Sequence, residues 1–199
     1  MKNNKKSTLA MVELAVFMAL VAVLQITGTG INLTGTPISL VLIPIALGAM
    51  LLGPLAGALL GLEFGVIVFV AGFVGADGFT FILIQDHPIY TALICIGKGV
   101  LAGFGAGLVY RLLANKNKLA AVIAAAATTP MINTALFIIG ALFMQSTLKS
   151  NFLGEGETVV YFLIVVCAGV NFLLELLLNL LVAPALARAV DTANRRIVR

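Results

Sequence analysis

Apolar runs long enough to cross a bilayer follow one another along this chain, and they leave few folds open. Lipid offers no partner to a backbone N–H or C=O, so an immersed segment must close its own hydrogen bonds, as a helix does. The runs cover residues 8–27, 37–52, 55–74, 89–113, 119–144 and 158–187. At about 1.5 Å per residue, all but one match a hydrocarbon layer about 30 Å thick. The exception, 37–52, is short and holds Pro44, which predicts a kinked or partly irregular span. The expected fold is an all-α integral membrane protein, a six-helix transmembrane bundle. Residues 1–199 form one membrane domain, because no polar stretch is long enough for a second.

Charge is scarce and sits where topology would put it. Hydrophobic residues make up 61% of the chain and charged ones 10%, with a mean hydropathy of +1.15; a soluble domain needs more charge to wet its surface. The net charge of +4 does not point to nucleic acid, since the basic residues cluster just outside the apolar runs. Lys2, Lys5, Lys6, the connector Lys116/Lys118 and the tail Arg188, Arg195, Arg196 and Arg199 fall on one side of a six-span chain. The opposite loops carry Asp77, Asp86, Glu155 and Glu157 against Lys149. Excess Lys and Arg marks the cytoplasm, so both termini are expected there. The stretch 9–26 exceeds a signal-peptide core and no small-x-small cleavage site follows it, so it reads as a retained first helix. Cys95 and Cys167 lie within apolar runs and read as small buried hydrophobes.

Small residues recur at helical spacing. Gly53, Gly57, Gly61 and Gly65 line one face of the third run, and Gly99, Gly103 and Gly107 one face of the fourth. Missing side chains let another backbone approach closely. Both stripes read as packing surfaces inside one bundle, with a dimer interface as the alternative. Ala15 and Ala19 in the first run form a smaller flat face of the same kind.

An ionisable residue inside a span is a functional candidate by default, and the chain has Glu63, Lys98 and Glu175. Lys98 lies about ten residues, hence about 15 Å, in from the outer end of the fourth run. Asn133 and Asn171 reach a similar depth in the fifth and sixth. Thr129 and Asn133 are four apart and share a face. Between them Pro130 deprives the Ala126 carbonyl of its helical donor. Asn171, Glu175 and Asn179 line another face at the same spacing. These side chains predict a small pocket for a polar solute, and a fixed cation such as Lys98 suits an anion. Gln25 and Asn32 would close it from above. The alternative is that Lys98 pairs with Glu63 or Glu175 while the amides bond across helices. Glu63 and Glu175 read as structural and His87 as an interfacial residue.

Some chemistries lack their parts. There is no Gly-x4-Gly-Lys-Ser/Thr loop to cradle ATP, and a single His excludes a multi-histidine zinc site. No Ser or Cys has a histidine base placed within a span. No inverted repeats of the kind that build many secondary transporters are evident. An enzyme and a metal site are therefore not expected; a membrane scaffold protein remains as the non-transport alternative.

The passage Thr36-Pro37-Ile38-Ser39-Leu40-Val41-Leu42-Ile43-Pro44-Ile45-Ala46-Leu47-Gly48-Ala49-Met50-Leu51-Leu52-Gly53-Pro54-Leu55-Ala56-Gly57 resembles the substrate-binding S components of energy-coupling factor (ECF) vitamin transporters. So do the basic N-terminus, the Ala15/Ala19 pair and six spans in a chain of this size. The resemblance implies a multi-pass protein of the bacterial plasma membrane that captures a water-soluble vitamin from outside. Its implied partners are a transmembrane coupling protein, touched by Ala15 and Ala19, and two ATPases that hydrolyse ATP on its behalf. The chain itself would bind no cofactor. Toppling of the subunit within the membrane would release the solute inside. Pro130-Met131-Ile132-Asn133-Thr134-Ala135-Leu136-Phe137 resembles a Pro-x-x-Asn-Thr-x-x-Phe pattern of pantothenate-type S components. Pantothenate, with a carboxylate, hydroxyls and an amide, suits one Lys among Asn and Thr donors. Other implied solutes are pyridoxine, hydroxymethylpyrimidine and folate. With no Trp and 3 Tyr, a site ruled by aromatic stacking is not expected.

Overall fold

The structure is a computed structural model that describes residues 2–28, 40–154 and 156–198. Within them every regular element is a helix, joined by short turns. In order come α1 (Lys2–Gly28), α2 (Leu42–Leu52), α3 (Pro54–Phe73), α4 (Gly78–Asp86), α5 (Pro88–Leu113), α6 (Lys118–Ala141), α7 (Gln145–Asn151), α8 (Val159–Tyr161) and α9 (Val170–Val198). A single 3-10 turn, Leu142–Met144, joins α6 to α7, and a π-helical stretch, Phe162–Gly169, joins α8 to α9.

Among the described residues, five helical stretches are long and apolar enough to cross a membrane: Thr8–Gly28, Pro54–Phe73, Pro88–Leu113, Lys118–Asn151 and Val159–Thr192. Of the expected second span, 37–52, residues 37–39 lie outside the described residues. Its described helix, α2, has 11 residues and rises only about 16 Å, half a hydrocarbon layer. Pro44 does not kink it, because it falls in the first turn, where a missing N–H is not needed. The last helix also outruns its expected end before Arg188 and continues to Val198. Two segments expected as loops hold the short helices α4 and α7.

Capping explains the shorter elements. The Asp77 carboxylate accepts from the N–H groups of Phe79 (3.1 Å) and Thr80 (3.3 Å), and from the Thr80 hydroxyl (2.6 Å). That satisfies the first donors of α4. Asn117 caps α6 by accepting from the Ala120 N–H at 3.1 Å. Gly53 ends α2 at φ 99°, a left-handed backbone open to glycine, and Pro54 starts α3 at once.

The two glycine stripes meet each other. A side chain added at Gly57 would strike the Gly103 carbonyl, one at Gly61 the Gly99 carbonyl, and one at Gly65 the Cys95 carbonyl. As one number rises the other falls, so α3 and α5 run antiparallel with their backbones in contact. The packing is within one bundle, and no second copy is needed to explain it.

Three apolar clusters fill the interior. One, at the end that carries α4 and α7, includes Phe79, Leu83, Met144, Leu148, Phe162 and Cys167. A second joins Val21, Ile45, Leu60, Phe64 and Cys95 from α1, α2, α3 and α5. The third joins α2, α6 and α9 through Met50, Val122, Ala126, Ala183 and Leu186. Both cysteines are buried, in different clusters. Outward, α1 shows Val12, Val16 and Val23, each more than half exposed, as a surface bathed in acyl chains should.

Candidate functional site

Among the described residues, a cavity of about 80 Å³ lies where α1, α3, α5, α6 and α9 converge beneath α4. The α3 share of the lining is apolar (Phe64, Val68 and Ala71), and the other helices bring polar side chains. From α5 comes Lys98, from α6 Asn133 and Thr134, from α9 Asn171 and Glu175, from α1 Gln25, and from the α4 cap Asp77 and Thr80. Lys98, Asn133, Asn171 and Gln25 are thus brought together.

Lys98 makes no ion pair among the described residues; the ion pair found there is Lys118–Asp191. Its ammonium sits 5.3 Å from the ring centre of Phe137 and 5.8 Å from that of Phe64. The negative ring faces attract the cation without neutralising it, so the positive charge remains open to an anion.

Asn133 is 6% exposed, and its Oδ1 is buried with no hydrogen-bond partner among the described residues. Burying an amide oxygen unpaired costs about 1–3 kcal/mol, a cost that a bound solute with a donor would remove. Gln25 (5% exposed) and Asn171 (6%) are equally withdrawn from the surface. Asn171 and Glu175 each hold an interaction within the protein. Asp77 is committed to three donors at the start of α4.

Thr129 lies outside this lining. It is fully buried, and its hydroxyl donates to the Ala125 carbonyl at 3.1 Å. It shares a helix face with Asn133, but one turn further along the cavity has closed, and a hydroxyl in a helix readily bonds back to its own preceding turn. Asn32 lies outside the described residues. Glu63 is not on the lining; its Oε2 is buried elsewhere without a partner among the described residues. Glu175, expected to be structural, does line the cavity. His87 is exposed at the α4–α5 junction. Ala15 and Ala19 are exposed on α1, away from the cavity.

The aromatic content of the site corrects the sequence reading. Phe64, Phe79, Phe137 and Phe172 all line it, whereas counting Trp and Tyr pointed to few rings. Phe79 packs on Phe137 (centres 5.8 Å apart) and Phe152 (4.9 Å), and Phe152 stacks on Phe162 (5.7 Å). These rings pack the α4 end of the cavity. The π-helical stretch, whose wider turn displaces side chains from regular helical positions, sets Cys167 and Ala168 on the wall. Asp77 and Thr80 had a signal in the sequence: an acid three residues before a threonine, opening a short apolar stretch, is a helix cap.

The arrangement suits reversible capture. It offers one unpaired cation, amide donors and acceptors, and ring faces for the apolar part of a solute. Among the described residues, no three His, Cys, Asp or Glu side chains gather to hold a metal.

A search of curated proteins finds no match to this chain. The profile of the family described as "ECF transporter, substrate-specific component" matches residues 9–187. That range includes three of the five membrane-capable stretches whole, most of the first and last, and every cavity residue from Gln25 to Glu175. A match of that extent settles the family: the chain is an ECF transporter substrate-specific component.

Proposed function

We propose that this chain captures pantothenate, or a vitamin of closely similar chemistry, in the cavity between Lys98, Asn133, Asn171 and Gln25. As an ECF substrate-specific component the protein is a multi-pass membrane transport subunit rather than an enzyme. It works with ECF transmembrane and ATPase subunits on a vitamin substrate. The finer reading rests on one observation: a cation inside the bundle, without an ion-pair partner among the described residues, shares a cavity with an unsatisfied amide. In our reading Lys98 meets the carboxylate, while the Asn133 amide meets a hydroxyl or amide of the solute. Asn171, Gln25 and Thr134 add polar contacts.

The same reading gives six spans, with both termini in the cytoplasm of a bacterial cell. ATP binding and hydrolysis fall to the partner ATPases. Ala15 and Ala19, exposed on α1, form the contact with the coupling protein. The four phenylalanines on the lining favour a second reading, a one-ring solute such as pyridoxine or hydroxymethylpyrimidine held by stacking.

Binding of labelled vitamins to the purified chain in detergent, without ATP, separates the readings. Pantothenate should bind, and Lys98→Met should weaken it by about tenfold or more, the worth of a hydrogen bond to a charged group. Neutral pyridoxine should respond little to that change. Binding of pyridoxine but not pantothenate would transfer the assignment to the second reading. Failure of the whole vitamin panel would remove both.

A further inference from the structure

At the opposite end of the bundle from α4, a groove of about 280 Å³ opens between the end of α5, the start of α6 and the late part of α9. Its walls divide by chemistry. Leu119, Val122, Pro184, Ala187 and Val190 are apolar, and Tyr110, Lys118, Arg188 and Asp191 are polar. Leu119 is 53% exposed, so the apolar wall continues onto the surface that acyl chains cover. Lys118 lies 3.4 Å from Asp191, with both side chains about half exposed or more. Arg188 makes no ion pair among the described residues. The groove therefore holds two cations against one carboxylate, at the capped N-terminus of a 24-residue helix whose dipole adds positive potential.

From this juxtaposition we propose that the groove binds one anionic phospholipid. Its phosphodiester lies between Arg188 and Lys118, and an acyl chain runs along Leu119, Val122 and Pro184. Three features favour a lipid over a soluble anion. The apolar wall is contiguous with the lipid-facing surface, the cations stand at a span's end where headgroups lie, and a tyrosine accompanies them, as is common at the interface. The guanidinium suits a phosphodiester because its fork can meet two oxygens. Asp191 tempers the site by competing for Lys118. A lipid seated here would tie α6 to α9 beyond the inner apolar cluster. This site is separate from the solute cavity and does not depend on which vitamin binds there.

Native mass spectrometry of the full chain, with measured amounts of phosphatidylglycerol, phosphatidylcholine or inorganic phosphate, tests the assignment. Each cation near a headgroup is worth about fivefold, and Asp191 offsets part of that. Phosphatidylglycerol should therefore bind about tenfold more tightly than phosphatidylcholine, and inorganic phosphate should not displace it at equal concentration. Lys118→Gln with Arg188→Gln should erase the preference. Asp191→Asn, which frees Lys118, should raise it about twofold. Arg188→Lys controls for folding and should keep most of it. Equal binding of the two lipids to the unaltered chain overturns the proposal, as does an undiminished preference in the double variant. Displacement by inorganic phosphate would assign the groove to a soluble anion. Loss of partner assembly in the double variant, with no lipid preference in the isolated chain, would make it a protein contact; either result overturns the lipid site.

Discussion

Asn133 illustrates how an imperfect residue can point to a ligand. Its Oδ1 is buried without a partner among the described residues, and the solute-free protein bears that deficit. Asn133→Leu, similar in volume and without polar atoms, should leave the solute-free protein as stable or more so, by about 1–2 kcal/mol. The same variant should lose the rise in melting temperature that the vitamin gives the parent chain. Thermal unfolding with and without vitamin reads both effects; a lower melting temperature alone would mark the amide as merely structural. Lys98, Asn133 and Asn171 were legible in the sequence because polar groups in lipid stand out. Phe64, Phe79, Phe137 and Phe172 were not, because phenylalanine is what a span is expected to contain. Whether it faces lipid or a cavity depends on packing that one sequence does not state. Thr129 falls off the lining for a related reason: face-sharing gives direction but not where a cavity ends.

Among the elements, the α3–α5 pair is the most constrained. Replacing Gly61 by Val would push side-chain atoms into the Gly99 carbonyl, and backbone cannot move aside as a side chain can. Overpacking of this kind costs about 1–3 kcal/mol and sometimes more. Gly97→Ala, on the same α5 helix but with nothing within 4 Å of the added methyl, should be neutral or stabilise by up to about 1 kcal/mol. Unfolding in mixed detergent should separate the two variants; similar melting points would mean the stripes are not in contact. The long spans and the use of both stripes for packing inside one bundle followed from periodicity; that the stripes face each other did not. The short helices α4 and α7 did not, since a single turn or two between polar residues gives no repeat to detect. The π-helical Phe162–Gly169 had no signal either, since its apolar composition reads the same as that of a regular helix.

For the whole molecule, the proposed binding and coupling residues occupy different surfaces. The cavity lies among α1, α3, α5, α6 and α9, while Ala15 and Ala19 face outward on α1. Ala15→Leu with Ala19→Leu should leave vitamin affinity within about twofold, since neither alanine is on the lining. Uptake into vesicles carrying the ECF transmembrane and ATPase subunits should fall to background, because a flat face no longer admits a partner helix. Unchanged uptake would move the coupling surface elsewhere. The antiparallel backbones of α3 and α5 carry a further implication for motion. Helices in such close register act as a stiff plank, and Phe64, Val68 and Lys98 are bolted to it. Whatever widens the cavity to admit a solute therefore falls to the lining off that plank, among it the π-helical turns that carry Cys167 and Ala168.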